Sequence, residues 1–197
     1  MRKEGSALGQ VLLPDALQLA IETARAYGEQ IVFTNGVFDL LHVGHVRYLQ
    51  AARALGDRLV VAVNSDDSVR RLKGPLRPLV PQEERAELLA ALACVDFVTL
   101  FDEESPAALI TRLRPEVYCK GGDYAERPLP ERATVESYGG RVVLLPQVDD
   151  RSSSRLIAEV VRRYGHSEQS DFGDPSGLRG PGRLSDPNAP SGGPRPA

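Results

Sequence analysis

His42 and His45 stand three residues apart with Gly44 between them, and they are two of the chain's three histidines. At the start of a helix that spacing puts both imidazoles on one face. Immediately before them runs Thr34-Asn35-Gly36-Val37-Phe38-Asp39-Leu40-Leu41, which brings a hydroxyl, an amide and a glycine that lets backbone come close. The leading N–H groups of a helix favour anions. Two imidazoles, free amides and a small Gly therefore point to a phosphate site. The competing uses are helix capping and zinc ligation. Zinc takes about four ligands, while His166 falls in the C-terminal tail and Cys94 and Cys119 lie in apolar, strand-like surroundings. No metal site held by protein side chains is expected. Phe38 reads as core, and Asp39 as a residue that fixes the turn.

Three other stretches carry groups suited to phosphate or nucleotide. Arg71 and Lys73 are expected on a mobile loop with the basic, Pro-punctuated run Lys73-Gly74-Pro75-Leu76-Arg77-Pro78, which could close over an anion; the plain alternative is a solvated basic loop. In Lys120-Gly121-Gly122-Asp123-Tyr124 the glycines permit close backbone approach at a strand end. Asp123 suits ribose hydroxyls, and its alternative is a solvated turn acid. Ser152, Ser153 and Ser154 open a helix and could bind a second anion through hydroxyls and amides, where simple capping would need one serine.

The elements that must position these groups can be read in order. Residues 1–10 lack periodicity and are expected to be loose. A helix is expected over Ala16–Tyr27, with Leu17, Ala20, Ile21 and Ala24 on one face and Gly28 ending it. Strands are expected at Gln30–Thr34, Arg58–Asn64, Phe97–Phe101, Glu116–Cys119 and Arg141–Leu145. Between them fall helices over Val43–Leu55, from an Asp66 or Asp67 cap through Leu72, over Gln82–Leu92 after Pro81, from Ser105-Pro106 to about Leu113, and finally over Arg155–Tyr164. The stretch from Tyr124 to Gly139 is poorly patterned. Apolar strands alternating with helices indicate an α/β fold, a five-stranded parallel sheet covered on both faces. Ligands then collect beyond the C-terminal strand ends, near the topological switch point, and every suspicious loop follows a strand. An N-terminal extension with its helix (1–27), one domain (28–165) and a Gly/Pro-rich disordered tail (166–197) are expected.

Composition narrows the class. The chain has 197 residues, 26% of them charged, and a net charge of −3. That balance argues against a nucleic-acid binder acting through a broad basic surface. No apolar run approaches the roughly 20 residues of a membrane span, and the N-terminus has no export pattern, so a cytoplasmic protein with two reduced thiols is expected.

The stretch from Thr34 to His45 resembles the HxGH signature of the cytidylyltransferase-like nucleotidyltransferases. Val61-Ala62-Val63-Asn64-Ser65-Asp66, Arg71-Leu72-Lys73-Gly74, Val117–Tyr124 and Arg151-Ser152-Ser153-Ser154-Arg155-Leu156-Ile157 narrow the resemblance to the adenylyltransferases that make ADP-heptose. The resemblance covers about residues 28–163. It implies a Rossmann-like fold, ATP and a heptose 1-phosphate as substrates, and Mg²⁺ carried on the ATP phosphates. His42, His45 and Lys73 would act on the phosphates. Thr34, Asn35, Gly36, Phe38, Gly44, Arg71, Arg85, Lys120, Gly122, Asp123, Ser152, Ser153 and Ser154 would line the nucleotide. Arg85 stands where the superfamily uses an Arg near the phosphates, and from the residues alone it could equally be a surface ion pair. A sugar phosphate is already ionised at neutral pH, so no general base is needed. The resemblance also implies a possible homodimer, and a heptose kinase on a separate protein, since few residues precede the first strand. Glycerol-3-phosphate or phosphoethanolamine-type cytidylyl transfer, and a nucleotide-binding regulator without turnover, remain the alternatives.

Overall fold

The computed structural model describes residues 8–121, 129–146 and 152–165. In chain order the elements are β1 (Gln10–Val11), α1 (Pro14–Ala26), β2 (Ile31–Gly36), α2 (Val43–Arg53), β3 (Arg58–Asn64), α3 (Asp66–Lys73), α4 (Gln82–Ala90), β4 (Phe97–Phe101), α5 (Ala107–Leu113), β5 (Val117–Gly121), α6 (Arg132–Ser137), β6 (Arg141–Leu145) and α7 (Ser153–Tyr164). The strands form one parallel sheet in the order β1-β4-β3-β2-β5-β6. The chain works outward from β2 in one direction through β3 and β4. It then crosses back to lay β5 on the other side of β2. The switch point is thus the β2/β5 junction, where α/β sheets place their ligands.

Strand alternation feeds two cores. Val32, Val61, Val63, Val98 and Val117 point to one face and pack with Leu49 and Ala52 of α2 and Ala86 and Leu89 of α4. Ile31, Phe33, Val60, Ala62 and Tyr118 point to the other and pack with Leu17 and Ile21 of α1, Leu109, Ile110 and Leu113 of α5 and Val135 of α6. With both faces covered, the central strands can be apolar at every position, as Leu59-Val60-Val61-Ala62-Val63 is.

Four expectations are corrected. The sheet has six strands: Gln10–Val11, expected to be loose, pairs with Phe97 and Val98, and Leu12 N donates to Val98 O at 2.8 Å. Two residues are too few to show an alternation. Ser65, not an aspartate, caps α3, its Oγ accepting from Ser68 N at 3.0 Å. Arg71 and Lys73 lie within α3 and not on a loop, because the helix runs on to Gly74, whose φ of 94° ends it. Lys120 and Gly121 continue β5, paired with Leu144 and Leu145, and are not part of a turn. The poorly patterned stretch also holds α6, a short helix with one buried apolar residue, Val135. Gly122, Asp123 and the tail from 166 onward lie outside the described residues.

Candidate active site

The β2 strand delivers the chain to the switch point, and the turn after it sets the site. Gly36 leaves room there: a Cβ on it would meet the Phe38 ring at 3.0 Å and press on it. Phe38 itself has φ 50°, the left-handed region, which costs a non-Gly residue about 1 kcal/mol or more. Its ring is buried and meets His45 edge-on, with centroids 5.3 Å apart. The chain then enters α2 with His42 at the N-cap, extended at φ −142° and making no side-chain cap. Gly44 is buried in the first turn. His42 and His45 stack with ring centroids 3.9 Å apart.

That stacking has an electrostatic consequence. Burial, and to a lesser degree the neighbouring His42 ring, lowers the His45 pKa to about 4. His45 Nδ1 is buried with no hydrogen-bond partner among the described residues. His45 is therefore a neutral imidazole at about pH 7 until a counter-ion favours its protonation. An anion at the α2 N-terminus supplies one, and the helix dipole favours it.

The two strands at the junction part early. Backbone pairing between β2 and β5 covers only Val32↔Val117 and Phe33↔Tyr118, while β2 and β3 stay paired through Gly36↔Val63. Side chains bridge what the ladder leaves open. The Tyr48 hydroxyl lies 2.6 Å from Thr34 Oγ1 and donates to Cys119 O at 3.1 Å. Tyr118 donates to Asn35 Oδ1 at 2.9 Å, and Lys120 Nζ donates to Asn35 O at 3.3 Å. Burial lowers the Lys120 pKa to about 8, opposed by the charge of Glu131. Burial likewise pushes the Cys119 thiol up to about 11, so it stays protonated and inert. Thr34 is fully buried, its hydroxyl engaged with Tyr48 inside the fold. Tyr48 and Glu131 escaped the sequence reading. Tyr48 lies three residues after His45 and so shares its face of α2; Glu131 gave no signal.

Arg85 corrects the surface alternative outright. It is 0% exposed and commits its guanidinium inside the protein. Its Nε donates to Val80 O at 2.9 Å, Nη1 to Val37 O at 2.6 Å, and Nη2 to Asn64 O at 2.9 Å and Asp66 Oδ1 at 2.7 Å. It holds the turn, the end of β3 and the start of α3 together beneath the site. Asp39, 2% exposed, accepts from Arg77 Nε at 2.5 Å and from the amides of Leu79 and Val80 at 2.8 and 2.9 Å. It fixes the turn, as expected, by fastening it to the segment after α3.

The remaining residues divide. Ser153 Oγ donates to Leu40 O at 3.0 Å, bringing the start of α7 to the histidine turn. Ser152 Oγ accepts from Arg155 N at 3.2 Å as a cap, and Ser154 is exposed. Arg71 pairs with Asp102 at 3.3 Å, and Lys73 is exposed at the end of α3. Among the described residues no three His, Cys, Asp or Glu cluster to hold a metal ion. None of their helices is long and apolar enough to cross a membrane.

Comparison with known proteins agrees with this geometry. The cytidylyltransferase-like family model matches residues 33–161, from β2 into α7. The bifunctional protein HldE of Trichlorobacter lovleyi is 55% identical over 150 residues, 76% of this chain and 30% of that one. HldE of Geobacter sulfurreducens is 56% identical over 151 residues, 77% of this chain and 31% of its own. The chain thus spans about a third of the length of these relatives. Among solved structures, the lipopolysaccharide core biosynthesis protein from Thermoplasma volcanium is 29% identical with a TM-score of 0.51, over 61% of this chain and 98% of that one. A parallel sheet with the HxGH turn at its switch point, and a matching family model over most of the chain, place it: this chain belongs to the cytidylyltransferase-like family and carries a nucleotidyltransferase domain.

Proposed function

We propose that this domain transfers AMP from MgATP to D-glycero-D-manno-heptose 1-phosphate, releasing pyrophosphate and ADP-heptose. One observation carries the reading. The chain shares about 55% identity with HldE proteins over three quarters of its length, and it carries the stacked histidines at its switch point. The Lys-Gly-Gly-Asp-Tyr stretch supports the heptose branch. A structural neighbour named for lipopolysaccharide core biosynthesis supports it too, since glycan assembly consumes nucleotide-activated sugars. We place the enzyme in the cytoplasm, as a possible homodimer, after a heptose kinase that supplies the sugar phosphate.

The sugar phosphate oxygen attacks the α-phosphorus in line, and the bond to the β-phosphate oxygen breaks. Both reactants bring their own reacting oxygens, so the protein's work is positioning and charge stabilisation. His42, His45 and the leading amides of α2 face the charge that develops on the phosphate oxygens. Lys73 adds a cation from the end of α3. Gly122 and Asp123 follow β5 and are assigned to the nucleotide side, with Ser152–Ser154 on a phosphate. Magnesium enters as part of the substrate, held by the triphosphate, consistent with its preference for phosphates and water.

The test is pyrophosphate release with each of ATP, CTP, GTP and UTP against heptose 1-phosphate (both anomers) and glycerol 3-phosphate. Release with ATP and heptose 1-phosphate alone is the expected result. Release with CTP and glycerol 3-phosphate would keep the site and replace the substrates. Tight ATP binding without turnover of any acceptor would point to a regulator.

Binding should also take up a proton. Burial and His42 hold the His45 pKa at about 4, and a bound phosphate raises that value. Affinity for MgATP should therefore rise as pH falls toward 4 and level off below it. Calorimetry near pH 6 in two buffers of different ionisation enthalpy should show proton uptake in the wild type and less in His45→Gln. Buffer-independent heats would reject the idea.

A further inference from the structure

We propose that Asp39 is a positioning residue that makes the histidine turn and the basic end of α3 move as one body on the triphosphate. The proposal rests on the phosphate reading of the site and goes beyond it. The path is continuous. Gly74 N donates to Arg70 O at 2.9 Å, closing α3 just after Lys73, and Arg77 N donates back to Gly74 O at 3.2 Å. Arg77 Nε reaches Asp39 at 2.5 Å, and the next amides, Leu79 and Val80, reach the other carboxylate oxygen. From Asp39 the chain needs three residues to arrive at His42. On the other side of Asp39 stands Phe38, whose left-handed backbone aims its ring at His45. Arg85 bolts the same two strands of chain from below, through Val37 O and Val80 O.

A buried carboxylate taking one guanidinium and two amide donors is engaged at both oxygens. It leaves Asp39 no part as a base. What it provides is a fixed distance between Lys73 and the histidines. Small errors in such distances are felt in kcat and hardly in ground-state binding.

Amide hydrogen exchange on the full chain, with and without MgATP, separates this from a merely structural role. In Asp39→Asn, and in Arg77→Gln, which cuts the same tie from its partly exposed partner, the Leu79 and Val80 amides should exchange at least about tenfold faster. The amides of Val60–Val63 should be unchanged, showing that the sheet is intact. MgATP should slow exchange at Leu79 and Val80 in the wild type but not in the variants. With the substrates proposed above, kcat should fall at least about 30-fold with KM for ATP altered less than about threefold. Asp15→Asn, which breaks only the surface pair with Arg112, should match the wild type in every measurement. Unchanged exchange in both variants overturns the proposal, as does a loosened segment with kcat within about threefold of wild type. If the wild type turns over none of the substrates, the substrate assignment fails, and the MgATP-dependent exchange still decides for or against Asp39.

Discussion

Replacing His45 with alanine should lower kcat for nucleotidyl transfer by about 10²–10³-fold, the usual loss when one preorganised donor to a developing oxyanion is removed. The imidazole is held on three sides: the His42 ring stacked at 3.9 Å, the Phe38 edge at 5.3 Å, and the backbone of α2. It pays no reorganisation when charge appears on the phosphate. His45→Gln keeps a side-chain N–H but cannot be protonated, and it should recover part of the loss. Steady-state kinetics with melting curves for each variant make the comparison, since a fall in kcat counts only where the melting temperature is kept. Alanine at 45 with kcat within about fivefold of wild type would remove this histidine from the chemistry.

The second large effect concerns stability. Arg85→Leu should cost about 3–5 kcal/mol, because it strips one partner from a buried ionic network and leaves the others behind. Val37 O, Val80 O and Asn64 O lose their donor, and Asp66 loses its cation. A chain of this size should then melt about 10 °C lower. Arg85→Lys keeps the charge but cannot span partners that a planar fork reaches together, so it should fall between. Equilibrium denaturation gives the numbers, and a loss below about 1 kcal/mol for Arg85→Leu would show that the network is dispensable.

The contrast between these residues says what was legible in the sequence. His42 and His45 announce themselves because one turn and one helix start decide their geometry, which is local. The central strands were legible for a similar reason: two covered faces allow unbroken apolar runs, and Arg58–Asn64 and Phe97–Phe101 match their observed bounds, as the edge strand Arg141–Leu145 does too. The edge strand at Gln10–Val11 was not, since its partner lies in β4, far along the chain. For Arg85 the residues alone left a surface ion pair as open as a phosphate contact, because arginines on amphipathic helices are mostly exposed. Its burial depends on three carbonyls that meet only after β2, β3 and the 77–80 segment are assembled. Tyr48 was hidden likewise: nothing in its neighbours shows that its hydroxyl reaches Cys119 across the sheet.

The parallel order of the sheet carries a consequence for how the molecule comes together in time. Gln30 and Asp57, which close the β2–β3 unit, are 27 residues apart, whereas Ile31 and Glu116, which tie β2 to β5, are 85 apart. Closing the longer loop costs more chain entropy before any contact repays it, and non-local pairings are the slow ones. The histidine turn thus belongs to the part of the chain that can organise early, and the strand that forms the far wall of its crevice arrives late. A nascent chain would hold the phosphate-binding half of the site, with its histidines in place, before the other half exists.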